Sequence, residues 1–394
     1  MKRILTLSTF ILIVGFSLAK AQEVKIGVLL SFTGPIEGLV PAIAESGELA
    51  MEEVSNSGIF LGGATVTSVR ADATCVDAGA ATAAAERLVT SDKVSAILGS
   101  DCSGVTTASL QNVAIPNGIV MISPASTSPA LSTLNDDGLF FRTAPSDARQ
   151  GQIMAEIVKE RGYNSVAVTY VNNDYGKGLA DAFANAYEAM GGEITINASH
   201  DEQKGDYSAE VGTLASAGGE LLVVAGYYLD GRNIVRGSID AGSFDTFVFP
   251  DGMYSPDLLE GFGNELDGSF GQAPGAPGDF KDAFITIADA AGINGNSPFA
   301  GESYDAAALI MLAMQAAGSS DSNAFKGKIM DVANAPGEPI SPGELAKGLA
   351  ILADGGDIDY VGASDVELIG PGEASGIYQE LQIDNGAWQV VGFK

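Results

Sequence analysis

Basic residues, sulfur and imidazole are scarce in this 394-residue sequence. Twenty Lys and Arg stand against 50 Asp and Glu, a formal net charge of −30 at pH 7. A phosphate backbone is held by clustered cations that displace its counterions, so nucleic acid is excluded as a partner. The acidity favours solubility and says little about a ligand. The lone histidine, His200, falls in His200-Asp201-Glu202-Gln203-Lys204, which reads as a solvated polar turn, and no Ser-His-Asp arrangement is available around it. No phosphate-loop signature occurs, and no Gly-x-Gly-x-x-Gly follows the first expected strand. Asp354, Asp357 and Asp359 lack the spacing and closing glutamate of a calcium loop and read as an acidic surface turn. No metal and no cofactor are expected.

Long apolar runs are also missing, except at the start. Met1-Lys2-Arg3 is a charged opening, Ile4 to Leu18 is mostly apolar, and Ala19-Lys20-Ala21 offers small residues where a signal peptidase reads. The apolar core, about 15 residues, is short of the roughly 20 a span needs. Residues 1–21 are therefore expected to be a cleavable signal peptide, and no cysteine lies nearby to carry a lipid. The mature chain is expected in the periplasm, soluble, with its net charge at −33 once Lys2, Arg3 and Lys20 are lost. Cys75 and Cys102 are the only cysteines. An even count in an exported chain reads first as one disulfide, ahead of a reactive thiol. Closing a loop of about 26 residues would stabilise the fold by about 3–4 kcal/mol.

What is present is alternation. Short β-branched or apolar runs (Val24 to Leu30, Thr65 to Arg70, Val94 to Leu98, Val120 to Ile122) alternate with Ala-rich amphipathic ones (Ala42 to Ser55, Ala78 to Thr90, Val105 to Ala114). That order indicates a parallel sheet covered by helices. The pattern restarts after Arg142, with strands expected at Ser165 to Val171, Glu193 to Ala198, Leu221 to Ala225 and Thr246 to Phe249. The length suits two domains. Phe141 to Ser146 reads as one extended crossing and Gly268 to Gly278, rich in Gly and Pro, as another. Helices are expected at Phe280 to Ala291 and Tyr304 to Ala317, and a terminal hairpin around Asn385-Gly386. The expected lobes are 22–143 with 273–376, and 144–272 with 377–394.

In open α/β sheets ligands lie beyond the carboxyl ends of the strands, where helix-start amides are free. Small polar or aromatic residues follow the strands at Ser103, Ala125-Ser126-Thr127, Asn173-Asp174-Tyr175-Gly176, Tyr227-Tyr228 and Asp251. Hydroxyls and amides suit a carboxylate, Asp251 an ammonium, and tyrosines a cover. Each alone is equally an ordinary cap or turn residue.

With these blocks in order, the chain resembles the periplasmic leucine/isoleucine/valine-binding proteins, the substrate-binding components of branched-chain amino-acid ABC transporters. The resemblance rests on Ile26 to Pro35 (IGVLLSFTGP), Gly99 to Ser109 (GSDCSGVTTAS), Met121 to Pro129 (MISPASTSP), Phe140 to Gly151 (FFRTAPSDARQG), Asn172 to Phe183 (NNDYGKGLADAF) and Glu302 to Ala317 (ESYDAAALIMLAMQAA). It implies an α/β, bilobal type I periplasmic-binding-protein fold, two doubly wound lobes joined by three crossings, closing over an amino acid. It implies that Ser103, Ala125, Ser126, Thr127 and Asp251 hold the ligand carboxylate and ammonium, that Tyr175 and Tyr227 cover them, and that Cys75 pairs with Cys102. It also implies an inner-membrane ABC permease as partner, for a monomer without enzymatic activity.

The side-chain pocket departs from the family. Asp101 stands where members for aliphatic ligands carry an apolar residue; Leu39 replaces an aromatic, with Glu37 close by, and Phe299 keeps an aromatic wall. A desolvated carboxylate facing an aliphatic group would cost roughly 2 kcal/mol or more. Either Asp101 points away, or the ligand is an amino acid with a polar or cationic group. A ligand-sensing module of the same fold and a periplasmic hydrolase are the alternative functions.

Overall fold

The computed structural model describes residues 22–394; the expected signal peptide lies outside the described residues. The first lobe is built on a seven-stranded sheet. Its parallel core is β1 (Glu23–Leu30), β2 (Thr65–Asp72), β3 (Ala96–Gly99), β4 (Val120–Ser123) and β5 (Phe140–Pro145). The second sheet, also seven-stranded, contains β6 (Ser165–Val171), β7 (Glu193–His200), β8 (Leu221–Ala225), β9 (Phe247–Phe249) and β10 (Phe270–Pro274). A small parallel pair, β11 (Glu338–Ile340) and β12 (Ile358–Tyr360), was not foreseen from the sequence. The late strands β13 (Leu368–Ile369) and β14 (Glu373–Ala374) extend the first sheet, and the hairpin β15 (Tyr378–Asp384) and β16 (Ala387–Phe393) extends the second.

The two sheets share one plan. Their orders are β2-β1-β3-β4-β5-β14-β13 and β7-β6-β8-β9-β10-β15-β16. In each, the chain reverses direction across the sheet after its second strand, leaving a crevice at the carboxyl ends where a ligand can lie. The central strands β3, β4 and β8 are buried throughout, as continuous apolar runs must be when helices cover both faces. The helix Ala300–Ala317 is apolar on all sides from Ala306 to Met314 and is buried from Ser303 to Gln315.

Three segments pass between the sheets: after β5, after β10 and after β14. At the first, the Ser146 hydroxyl accepts from Ala148 N and starts the helix Asp147–Glu160. That helix packs on Asp174–Ala189 at Gly151, where a Cβ would sit 2.6 Å from Phe183 N. The second crossing is shorter than the Gly268 to Gly278 run suggested, because Phe270–Pro274 is itself a strand. Gly271 serves close strand contact, not a turn: a Cβ there would lie 1.9 Å from Phe249 O.

His200 overturns its reading as a solvated turn residue. β7 runs on to pair His200 with Val171, and the ring is buried, 1% exposed. Its Nδ1 lies 2.9 Å from Thr169 Oγ1, and Tyr207 meets the ring edge-on. Desolvation lowers its pKa to about 4. The unfolded chain takes up this proton near pH 6.5 and the folded protein only near pH 4, so the contribution is complete above about pH 6.5 and disappears as the pH falls towards 4. In urea unfolding, the stability gap between the parent and His200→Gln should shrink by about 3 kcal/mol between pH 7.5 and pH 4. A gap independent of pH would show that His200 titrates alike folded and unfolded.

Candidate ligand-binding cleft

A cavity of about 390 Å³ lies where the carboxyl ends of the two sheets face each other. The first lobe supplies Ile36, Leu39, Ile43, Asp101, Cys102, Ser103, Ala125 and Phe299; the second supplies Tyr175, Tyr227, Asp251 and Gly252. The lobes are bonded across it: Gly38 N donates to Tyr228 Oη at 3.1 Å, and Ser128 Oγ to the Asp174 carbonyl at 3.0 Å.

The loop after β3 is shaped by close backbone approach. Gly99 has φ 132°, and a Cβ there would lie 2.1 Å from Leu29 O. Cys102 bonds Cys75 across the neighbouring loop. Cys102 then caps the helix Ser103–Ser109 without a side-chain bond, so the first-turn amides retain their donor capacity beside the cavity. Ser103 is buried, and its Oγ accepts from Ser128 N at 3.1 Å while keeping its proton to donate.

Asp101 lines the cavity, yet its carboxylate belongs to this loop. Oδ1 accepts from Ser31 Oγ at 2.5 Å, Cys102 N at 2.9 Å and Ser100 Oγ at 3.2 Å; Oδ2 accepts from Ser31 N at 2.8 Å. Burial pushes its pKa up, and the Ser31 bonds pull it back. The group is thus a knot joining the β1 and β3 loops. Leu39 lies on the cavity wall together with Ile36 and Ile43, which the sequence reading missed. Glu37 is corrected: its side chain is exposed and does not line the cavity. Ser126 is corrected too. Its hydroxyl is consumed by the Ser100 carbonyl at 3.0 Å and Thr106 Oγ1 at 2.5 Å, facing away from the cleft.

Across the cleft, Asp251 Oδ1 accepts from Tyr175 Oη at 2.6 Å and Gly252 N at 2.7 Å. Tyr175 and Tyr227 stack with centroids 5.3 Å apart. Behind Asp251 lies a second carboxylate, Asp147, at the start of the first helix after the crossing. Asp147 N donates to Thr127 O at 2.8 Å, and Thr127 does not itself line the cavity. With the Gln150 amide oriented to satisfy both neighbours, its nitrogen donates to Asp147 Oδ1 at 2.6 Å and its oxygen accepts from Asp251 N at 3.3 Å. Asp147 Oδ2 is buried without a partner. Burial and then repulsion by Asp251 hold the Asp147 pKa well above the carboxylate range; burial raises that of Asp251. Asp147 was not singled out in the sequence, because a lone acid after Ser146 has the pattern of an ordinary helix start.

Removing the Asp101 carboxylate leaves the Ser31 and Cys102 amides without an acceptor. Asp101→Ala should therefore lose about 2–4 kcal/mol of stability in urea unfolding; a loss within experimental error would show that the loop holds without it.

The family model described as periplasmic binding protein matches residues 23–340. The chain is 29% identical over 361 residues to the Leu/Ile/Val-binding protein homolog 3 of Brucella melitensis, covering 90% of this chain and 94% of that one. It is 28% identical over 363 residues to BasB, the chemotactic signal transduction system substrate-binding protein of Halobacterium salinarum, covering 87% and 82%. In fold it resembles the crystal structure of the leucine-binding protein LivK from Thermotoga maritima, with a TM-score of 0.80 at 24% identity over 94% of this chain and 98% of that one. With its family model matched across both sheets, the chain belongs to the periplasmic binding protein family.

Proposed function

We propose that this protein is an extracytoplasmic solute-binding protein that captures an aliphatic α-amino acid in the interlobe cleft and presents it to an ABC permease. One observation carries the reading. Asp147 and Asp251 are buried together beside the cavity, and no basic side chain lines it. Arg142, whose charge reaches Asp147, is bonded to Ser126 O, Ser128 O, Ser132 Oγ and Glu373, and Arg149 is exposed. Two desolvated carboxylates without a cation are costly, and a ligand ammonium would relieve them. Facing them, the Ser103 hydroxyl, the Ala125 backbone and the first-turn amides suit the ligand carboxylate.

The ligand side chain would then lie against Ile36, Leu39, Ile43 and Phe299. Four donors already converge on Asp101, so it is poorly placed to recruit a cationic side chain. The apolar wall favours an aliphatic one. This agrees with the Leu/Ile/Val name of the Brucella relative. The segments 22–143 with 273–376 and 144–272 with 377–394 would close as two bodies about the crossings, and the permease would read the closed shape. The chemotactic name of BasB favours a second reading, in which the same capture feeds a sensor. A hydrolytic role draws no support from His200, which is buried on β7 and does not line the cleft.

Titration calorimetry against leucine, isoleucine, valine, lysine, glutamate and benzoate should give one-to-one heat with an aliphatic amino acid and far weaker binding of the others; silence with every amino acid would end this reading. Asp251→Asn and Asp147→Asn should each weaken binding about 100-fold. Because both carboxyl pKa values are raised, protons compete with the ammonium, and affinity should fall as the pH drops below that of the pair. Heats measured in two buffers of different ionisation enthalpy should reveal proton release on binding, and identical heats in both would refute the competition.

A further inference from the structure

We propose that a second small-molecule site, distinct from the interlobe cleft, lies between the first lobe and the crossings and takes a zwitterionic amino acid. A cavity of about 390 Å³ is bounded by Gly275 of the second crossing, by Gln379 at the start of β15 and by Lys281, Phe284, Phe299 and Glu302 of the first lobe. Phe299 lines both cavities and separates them.

Two opposite charges meet this space unpaired. Glu302 sits in the first turn of the helix Ala300–Ala317 and is 6% exposed. Its main chain is fixed by Thr143 Oγ1, which donates to the Glu302 carbonyl at 2.7 Å. Its carboxylate bonds no other residue among those described, only its own main-chain N–H, and burial raises its pKa to about 7. Lys281, on the helix Asp279–Ala290, is half-buried and joins no ion pair among the described residues. It is close enough to favour the ionised form of Glu302 but does not bond it. A buried carboxylate and an ammonium share this cavity without touching, which leaves room for a ligand of both charges between them. A zwitterion bridges them: its ammonium meets Glu302, its carboxylate meets Lys281, and its carbon atoms face the Phe284 and Phe299 rings. The class is therefore a zwitterionic amino acid, of which glycine is the simplest probe.

Phe299 strengthens the assignment. Its backbone is left-handed, φ 62° and ψ 5°, a conformation that a bulky residue rarely adopts and that aims its ring between the two cavities. The site does not rest on the function proposed for the cleft, since none of its charged groups lines the cleft.

The test uses the full mature chain and ¹³C-glycine, followed by saturation-transfer NMR up to about 10 mM. Asp251→Asn, which disables the cleft, should retain glycine binding. Lys281→Met and Glu302→Gln, each placed in the Asp251→Asn background, should weaken it about tenfold or more. Absence of glycine binding to Asp251→Asn, or unchanged binding in both double variants, overturns the site. Should Glu302→Gln fail to fold, as judged by circular dichroism, Lys281→Met at its half-exposed position decides alone. Failure of the cleft reading would appear instead as silent calorimetry with aliphatic amino acids in the parent, whatever glycine does in Asp251→Asn.

Discussion

One buried guanidinium organises the cleft. Arg142, on β5, is 1% exposed and donates through Nη1 to the carbonyls of Ser126 and Ser128 and through Nη2 to Ser132 Oγ and Glu373. It therefore ties the loop after β4 to β5 and to β14, the last strand before the third crossing. A buried ion pair of this kind contributes little net stability against an apolar replacement, but losing one partner strands the other. Its greater effect is on charge. The guanidinium is paired with Glu373 and only partly offsets the negative charge of Asp147, five residues further along the chain, whose pKa stays well above the carboxylate range beside Asp251. The cleft's demand for a cation follows from two buried carboxylates beside a wall that carries no basic side chain.

The loop after β3 answers a different constraint, that of space. Gly99 accepts a backbone approach no side chain would permit, and the disulfide and the Asp101 knot then hold the chain on either side of the helix start. Ser103 is consequently presented with a fixed rotamer, its oxygen held by Ser128 N. Carboxylate recognition of this kind depends on donors that cost no reorganisation when the ligand arrives. The second lobe uses hydrogen bonding in the same way: Tyr175 is stacked on Tyr227 and bonded to Asp251, so the aromatic cover and the anionic partner are positioned together.

Much of this was legible before any coordinates. Apolar runs of strand length alternating with amphipathic helices dictate covered parallel sheets, and a restart after Arg142 dictates two of them, because side-chain periodicity reports which faces are buried. The residues that follow strands, Ser103, Ala125, Tyr175, Tyr227 and Asp251, do line one cavity, since strand ends of a parallel sheet must converge on one edge. Glu37, Ser126 and His200 were misplaced for a common reason. Each lies in a turn or at a strand end where a one-residue change in where the element stops reverses the side chain, and periodicity carries no signal there. Ile36 and Ile43 escaped notice because an aliphatic residue on a pocket wall looks like any core residue.

The sequence by itself determined the class of fold, the pairing of the only two cysteines, the shortage of cations and the set of polar groups available at the strand ends. These follow from composition and local periodicity, which act over a few residues at a time. Only the tertiary structure decided which carboxylates are spent and which are free. Asp101 looked like the residue that would choose the ligand, but Ser31, 70 positions away, satisfies it. Asp147 drew no notice in the sequence, but Asp251 lies near it in space and its carboxyl is left raised and partly unpartnered. The electrostatic state of a buried acid is set by its neighbours in space, and chain order does not name them.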